Sequence, residues 1–112
     1  MSERFVYMTM ASADQARKIG RALVEERLAA CVNILTPMQS IYRWEGKIIE
    51  DNEAVLIAKS RDVLVERLTA RVKELHSYSV PCVVALSIVQ GNPDYLRWIG
   101  AETSAPARRP ED

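Results

Sequence analysis

Apolar residues in this chain recur with two different periods, and the order in which the periods alternate constrains the fold more than any other feature. Two segments, residues 13–29 and 65–75, repeat apolar side chains every three or four positions, which predicts amphipathic helices. The segments rich in β-branched and aromatic residues are predicted strands: 4–10, 31–35, 40–44, 47–59 and 83–89. With 31–35 and 40–44 counted as one interrupted strand, the order is β-α-β-β-α-β.

Turn-forming and capping residues mark the ends of these elements. Ser12 followed by Gln15 forms a capping box, which predicts the start of the first helix. Thr36-Pro37 is predicted to interrupt the second strand, because proline cannot donate to a sheet ladder. Glu45-Gly46 predicts a hairpin turn between two long strands, which are expected to extend beyond the domain as a β-ribbon.

Polar residues also mark the boundaries in the second half of the chain. Ser60 and Asp62 are predicted caps of the second helix, and Asn92 or Asp94 is predicted to open a short terminal helix. Residues 104–112 carry proline and arginine without an apolar period, which predicts a disordered tail. The folded domain is therefore predicted to span residues 1–103.

This element order is typical of the ferredoxin-like, or split βαβ, fold of the α/β (α+β) class. Right-handed crossovers place both helices on one face of a four-stranded antiparallel sheet. The first strand is nevertheless apolar on both faces, since Phe5 and Tyr7 alternate with Val6 and Met8. The terminal helix around Trp98 could cover the second face, but an apolar patch of this size favours burial between subunits of an oligomer.

Composition excludes several classes of protein. Fifteen basic and fifteen acidic residues give a formal net charge of zero, which argues against a nucleic-acid binder and gives no cue for an acidic membrane surface. Two cysteines make no disulfide framework, so a reducing compartment is expected. The chain also shows no signal-peptide pattern and no apolar run near the roughly 20 residues that span a bilayer. We therefore expect a soluble cytoplasmic protein.

Three segments resemble the signature segments of the CutA, or divalent-cation tolerance, proteins. They are Ala-Ala-Cys-Val-Asn-Ile at 29–34, Tyr-Arg-Trp-Glu-Gly-Lys at 42–47 and Gly-Asn-Pro-Asp-Tyr-Leu-Arg-Trp-Ile at 91–99. Their order and spacing match that family over residues 4–100. The resemblance implies a ferredoxin-like subunit in a homotrimer similar to the PII signalling proteins. It also implies copper binding and a role in tolerance to copper and other divalent cations, without a catalytic reaction.

One segment departs from the family pattern. CutA proteins typically read His-Pro-Tyr-Glu-(Val/Thr)-Pro-Glu after the second helix, whereas residues 76–82 read His-Ser-Tyr-Ser-Val-Pro-Cys. Both acidic positions are lost, and Cys82 replaces one of them with a softer donor. Any role of those carboxylates in holding a hard cation is therefore missing from this chain.

Cys31, His76 and Cys82 are the candidate metal ligands, because thiolate and imidazole suit copper and zinc. None of them has short-range ligand spacing, so the fold or a second subunit must assemble the site. Cys31 sits in an apolar strand and could be a packed hydrophobe. His76 closes a helix and could be only a favourable charge at the helix end.

Four aromatic residues, Tyr42, Trp44, Tyr95 and Trp98, form a second group. Tyrosine and tryptophan are favoured at interfaces, so these side chains are expected to anchor the trimer. Alternatively they line a cleft between subunits, with Lys59 as a contact for a small anionic effector.

No catalytic motif is found, so the chain is expected not to be an enzyme. The leading hypothesis is a homotrimer that binds copper-like divalent cations in the response to metal ions, with itself and the ions as partners. The alternative is a PII-like signalling or scaffold trimer that binds a small molecule or a partner protein.

Overall fold

The computed structural model of the chain describes residues 2–104, and the elements within them follow the predicted order. The strands are β1 (Glu3–Met10), β2 (Cys31–Trp44), β3 (Lys47–Arg61) and β4 (Val83–Ser87). The helices are α1 (Ala13–Glu25), α2 (Val65–Leu75) and α3 (Pro93–Thr103), and a 3₁₀ turn at Asp62–Leu64 leads into α2. Of the predicted tail, residues 105–112 lie outside the described residues. No helix within residues 2–104 is long and apolar enough to cross a bilayer.

The four strands form one antiparallel sheet in the order β2-β3-β1-β4, which confirms the predicted α+β fold class. One face of β1, formed by Val6, Met8 and Met10, is fully buried. Buried residues of α1 and α2 pack against this face in a single apolar cluster, together with alternate residues of β3. Burial of this face stabilises the fold. The two helices do not pack on the opposite face of the sheet, which we call the open face.

The helix boundaries confirm some of the predicted caps and correct others. Gln15 donates its backbone N–H to Ser12 Oγ at 3.1 Å, as the capping box predicts. The first helix ends at Glu25 rather than at residue 29, because Arg27 adopts a left-handed φ of 57°. The backbone N–H groups of Leu28 and Ala29 turn back to the Leu23 carbonyl, which satisfies the end of the helix.

The predicted caps of the second helix differ from the observed ones, whereas that of the terminal helix is confirmed. Ser60 is no cap: it lies fully buried in β3, and its hydroxyl donates to the Leu28 carbonyl at 2.6 Å. Asp62 Oδ1 accepts the Val63 N–H at 2.8 Å in the 3₁₀ turn that precedes α2. Asn92 Oδ1 accepts the Asp94 N–H at 3.0 Å and so opens α3.

The second strand is continuous, and the predicted interruption at Thr36-Pro37 is a β-bulge instead. Leu35 pairs with Val55, but the next pair is Met38 with Glu53, so β2 carries one extra residue at this point. Because strand side chains alternate, the extra residue shifts every later side chain of β2 to the opposite face. Met38, Tyr42 and Trp44 thus share the open face with Glu53.

Within residues 2–104, α3 covers one end of the open face. Ile99 of α3 is fully buried, and Arg61 of β3 donates to Thr103 through Nε to Oγ1 and through Nη2 to the carbonyl, both at 2.8 Å. At the β4 edge of the same face, Val84 and Leu86 are each 51% exposed. The terminal helix therefore covers part of this face, and a broad apolar strip is left uncovered in the single chain.

Candidate functional site

A cleft of about 630 Å³ opens between the β2–β3 ribbon, β1 and the segment that precedes β4. We call it the ribbon cleft. The side chains that line it are mostly aromatic, apolar or uncharged polar: Tyr7, Thr9, Met38, Gln39, Ser40, Ile41, Tyr42, Trp44, Glu53, Tyr78, Ser79, Val80 and Cys82. Among these lining residues Glu53 is the one charged group, so the cleft combines aromatic walls with a single carboxylate.

Glu53 is a buried carboxylate at the wall of this cleft. Its side chain is 93% buried, and Oε2 accepts a hydrogen bond of 2.8 Å from the Tyr78 hydroxyl. On the same face of β3, Asp51 Oδ2 accepts a longer bond of 3.4 Å from Tyr42 Oη. Two tyrosines of the cleft therefore orient two carboxylates.

Replacing Tyr78 with phenylalanine is expected to make the free energy of unfolding fall less steeply as pH rises in alkaline solution. Burial, the hydrogen bond to Glu53 and the negative charges of Glu53 and Asp51 raise the pKa of the Tyr78 hydroxyl above its ordinary value of 10.0. In the unfolded chain the phenol ionises near pH 10, so the stability contributed by neutral Tyr78 is complete below that pH and is lost above it. Urea unfolding on both sides of pH 10 measures this, and parallel pH dependences of wild type and Tyr78→Phe would contradict it.

His76 is buried, and both of its ring nitrogens are engaged within the chain. Nδ1 accepts the Tyr78 backbone N–H at 3.0 Å, so Nε2 carries the proton and donates to the Thr9 carbonyl at 2.9 Å. The ring also lies 4.6 Å from the Tyr78 ring, centroid to centroid. His76 therefore ties the end of α2 to β1, and it can bind a metal only after giving up one of these two bonds.

Cys31 lies at the other end of the sheet, beneath α3. It pairs with Lys59 across the β2–β3 ladder, and Lys59 Nζ donates to Asn33 Oδ1. Burial and a hydrogen bond to the Cys31 thiol raise the pKa of the Tyr95 hydroxyl. The Tyr95 and Trp98 rings lie 5.5 Å apart on the same helix. These five residues form the α3 cluster.

Apart from His76, the predicted site residues fall into two separate places within one chain. Tyr42, Trp44 and Cys82 line the ribbon cleft, whereas Cys31 and the other predicted aromatic residues belong to the α3 cluster. The strand register places Cys31 level with Phe5 of β1, and His76 contacts Thr9, four residues further along. At the usual rise per residue, the offset between Cys31 and His76 along the strand direction alone is roughly 13 Å.

The described residues contain no group of three or more histidine, cysteine or acidic side chains placed to hold a metal ion. Cys31 and Cys82 are both free and half-buried. A metal site with three or more such ligands, built on any of the predicted donors, needs ligands from outside the described residues.

Sequence reasoning missed Glu53, Tyr78 and Met38 as parts of the cleft. Glu53 stands in the polar middle of the ribbon, where an acidic residue is ordinary. The signal that could have found it is the bulge: Pro37 within a strand suggests one extra residue, and that shift places Met38 opposite Glu53.

Comparison with known proteins gives consistent matches. The family model for the CutA1 divalent ion tolerance protein matches residues 4–102. The divalent-cation tolerance protein CutA of Thermus thermophilus is 50% identical over 90% of this chain and 98% of its own length. Mouse Protein CutA is 44% identical over 88% of this chain, which spans 56% of that longer protein.

Solved structures agree with these sequence matches. The T. thermophilus divalent cation tolerance protein superposes with a TM-score of 0.89, at 50% identity over 90% of this chain and 98% of that one. The CutA of Archaeoglobus fulgidus, described as a periplasmic divalent cation tolerance protein, gives 0.87 at 39% identity, over 90% and 98% of the two chains.

Proposed function

Because the chain belongs to the CutA1 divalent ion tolerance protein family, we propose that it supports tolerance of divalent cations by binding copper. The proposed working form is a cytoplasmic homotrimer, and the proposed role is binding rather than catalysis. The observation that carries the choice of metal is the pair of free, half-buried thiols, Cys31 and Cys82. Sulfur donors select copper and zinc, whereas magnesium and calcium require oxygen donors.

Self-assembly is supported by what the single chain leaves exposed. Four large aromatic side chains, Tyr42, Trp44, Tyr95 and Trp98, are each 39–46% exposed, in addition to the apolar strip of the open face. Tyrosine and tryptophan are enriched where subunits meet. A second chain that covers these surfaces could also supply the metal ligands that one chain does not bring together.

Equilibrium dialysis of the reduced protein against limiting Cu(II), with zinc as competitor, is expected to show saturable binding in a fixed ratio to the chain. Cys31→Ser or Cys82→Ser is expected to weaken copper affinity about tenfold or more, because serine is a poor ligand for a soft cation. Ser104→Ala, at the exposed position that follows α3, is the control and should bind as wild type does. Weak uptake that neither cysteine affects would exclude this function.

The ribbon cleft favours a second candidate function, a PII-like signalling or scaffold trimer that binds a small molecule. Its volume of about 630 Å³ is within the range of ligand pockets. The α3 cluster, with Lys59, does not line this cleft, so the anionic effector expected from Lys59 would need a different place. Binding of an organic ligand that does not depend on Cys31 would separate this candidate from metal tolerance.

A further inference from the structure

One oxygen of the buried Glu53 carboxylate is accessible from the ribbon cleft. Oε2 is held by the Tyr78 hydroxyl, and no other described group donates to this side chain. Every buried side-chain oxygen or nitrogen in the described part of the chain has a hydrogen-bond partner. Oε1 therefore faces the cleft, where it can accept a hydrogen bond from an occupant.

No basic side chain neutralises this carboxylate within the described chain. Neither lysine nor arginine lines the cleft, and Glu53 takes part in none of the ion pairs of residues 2–104. A carboxylate that is 93% buried is stabilised when a positively charged group pairs with it. An occupant of the cleft is well placed to supply this positive charge.

The walls of the cleft indicate what kind of cation fits. Tyr42, Trp44 and Tyr78 present aromatic rings, which attract ammonium and guanidinium groups through their faces. A bare metal ion would instead require several donor atoms, and the described residues offer no group of three acidic, cysteine or histidine side chains. Aromatic walls around one accessible carboxylate oxygen favour an organic cation over a metal ion.

We infer that the ribbon cleft binds a small organic cation that carries N–H groups, an ammonium or guanidinium compound, with Glu53 as its counter-ion. The N–H group donates to Oε1 in a charge-assisted hydrogen bond, which is about twice as strong as a neutral one. The carbon skeleton of the ligand packs against the aromatic walls. The inference rests on the second candidate function, whose ligand class it names. Because Cys82 also lines the cleft, binding is tested without metal.

The test is calorimetric titration of the assembled, metal-free protein with benzylamine, compared with neutral benzyl alcohol and anionic phenylacetate. Benzylamine, protonated at neutral pH, is expected to bind saturably and at least tenfold more tightly than either comparison compound. Glu53→Gln keeps the shape of the side chain and should weaken benzylamine binding tenfold or more. Glu50→Gln removes the same charge from the same strand outside the cleft, and it should leave affinity unchanged.

A second variant keeps the inference testable if Glu53→Gln lowers stability. Trp44 is 46% exposed, so Trp44→Leu should fold normally. It should nevertheless bind benzylamine several-fold more weakly than wild type does. Tighter binding of phenylacetate than of benzylamine would overturn the inference that the ligand is a cation. It would remain consistent with the second candidate function, which is the binding of a small molecule. Benzylamine binding that is equal in wild type and Glu53→Gln would also overturn the inference.

Two further outcomes point to other occupants and overturn the inference. Tight binding of Cu(II) that is lost in Glu53→Gln would make the cleft a metal site. No binding of benzylamine, together with a changed assembled mass in Glu53→Gln, would mean that a basic side chain of a second copy fills the cleft. The metal-tolerance proposal is tested separately, by comparing the copper affinity of Cys31→Ser with that of wild type.

Discussion

Replacing Leu86 with lysine is expected to dissociate the assembled protein into folded single chains. Leu86 is 51% exposed on the uncovered part of the open face, opposite Phe5 in the β4–β1 ladder. A lysine there keeps its charge in water in the single chain, so the fold loses little. In the assembly the charge would be buried without a partner, which costs several kcal/mol at each copy of the interface.

The same substitution at Met8 is expected to prevent folding altogether. Met8 is fully buried between the sheet and the two helices. An unpaired charge at this position, together with the loss of the methionine packing, would cost about 5 kcal/mol or more. That loss is comparable with the whole stability of a small domain. A lysine on the open face should therefore prevent assembly, whereas a lysine on the buried face should prevent folding.

Sedimentation velocity and circular dichroism on the same samples separate these outcomes. Leu86→Lys should show native secondary structure at the mass of one chain, and Met8→Lys should show neither native spectrum nor soluble yield. Val63→Lys is the matched control, because Val63 is 66% exposed in the turn before α2. It should assemble as wild type does. Leu86→Lys at the wild-type mass would show that this strip is not the interface.

The architecture was predictable from the sequence because it depends on periods and caps. The aromatic and β-branched residues of β1 indicate a strand, and the capping box at Ser12 indicates the start of a helix. The α1 boundary was missed because Leu28 continues the apolar period and is buried, although Arg27 has already left the helix. Periodicity reports which side chains are buried, and it does not report which backbone conformation buries them.

The candidate site was predictable only in part, since its residues meet through the register of the sheet. The bulge in β2 decides that Tyr42 and Trp44 share a face with Glu53, and a single residue more or less would reverse this. Likewise, nothing in the sequence shows that Cys31 lies beneath Tyr95 while Cys82 lies in the cleft. Residue types identified the available donors, and the pairing of strands decided which of them are neighbours.

Removing the imidazole of His76 is expected to destabilise the metal-free protein strongly. In His76→Ala the Thr9 carbonyl loses its donor and the Tyr78 N–H loses its acceptor, at a position that is only 8% exposed. Leaving two such groups without partners costs about 2–4 kcal/mol of the free energy of unfolding. A residue whose only role was to bind copper would produce no such loss when metal is absent.

Urea unfolding in the presence of a chelator, at fixed protein concentration, measures this effect. His76→Gln can both donate and accept, so it should recover part of the lost stability. Ser77→Ala removes the neighbouring hydroxyl that accepts from Gln15 Nε2 on the exposed surface, and it should change stability by less than about 0.5 kcal/mol. If His76→Ala unfolds like wild type without metal but binds copper tenfold more weakly, then His76 is a ligand and its two hydrogen bonds are dispensable. The expected loss without metal instead assigns His76 to the link between α2 and β1, and any effect of His76→Ala on copper binding would then follow from the weakened fold.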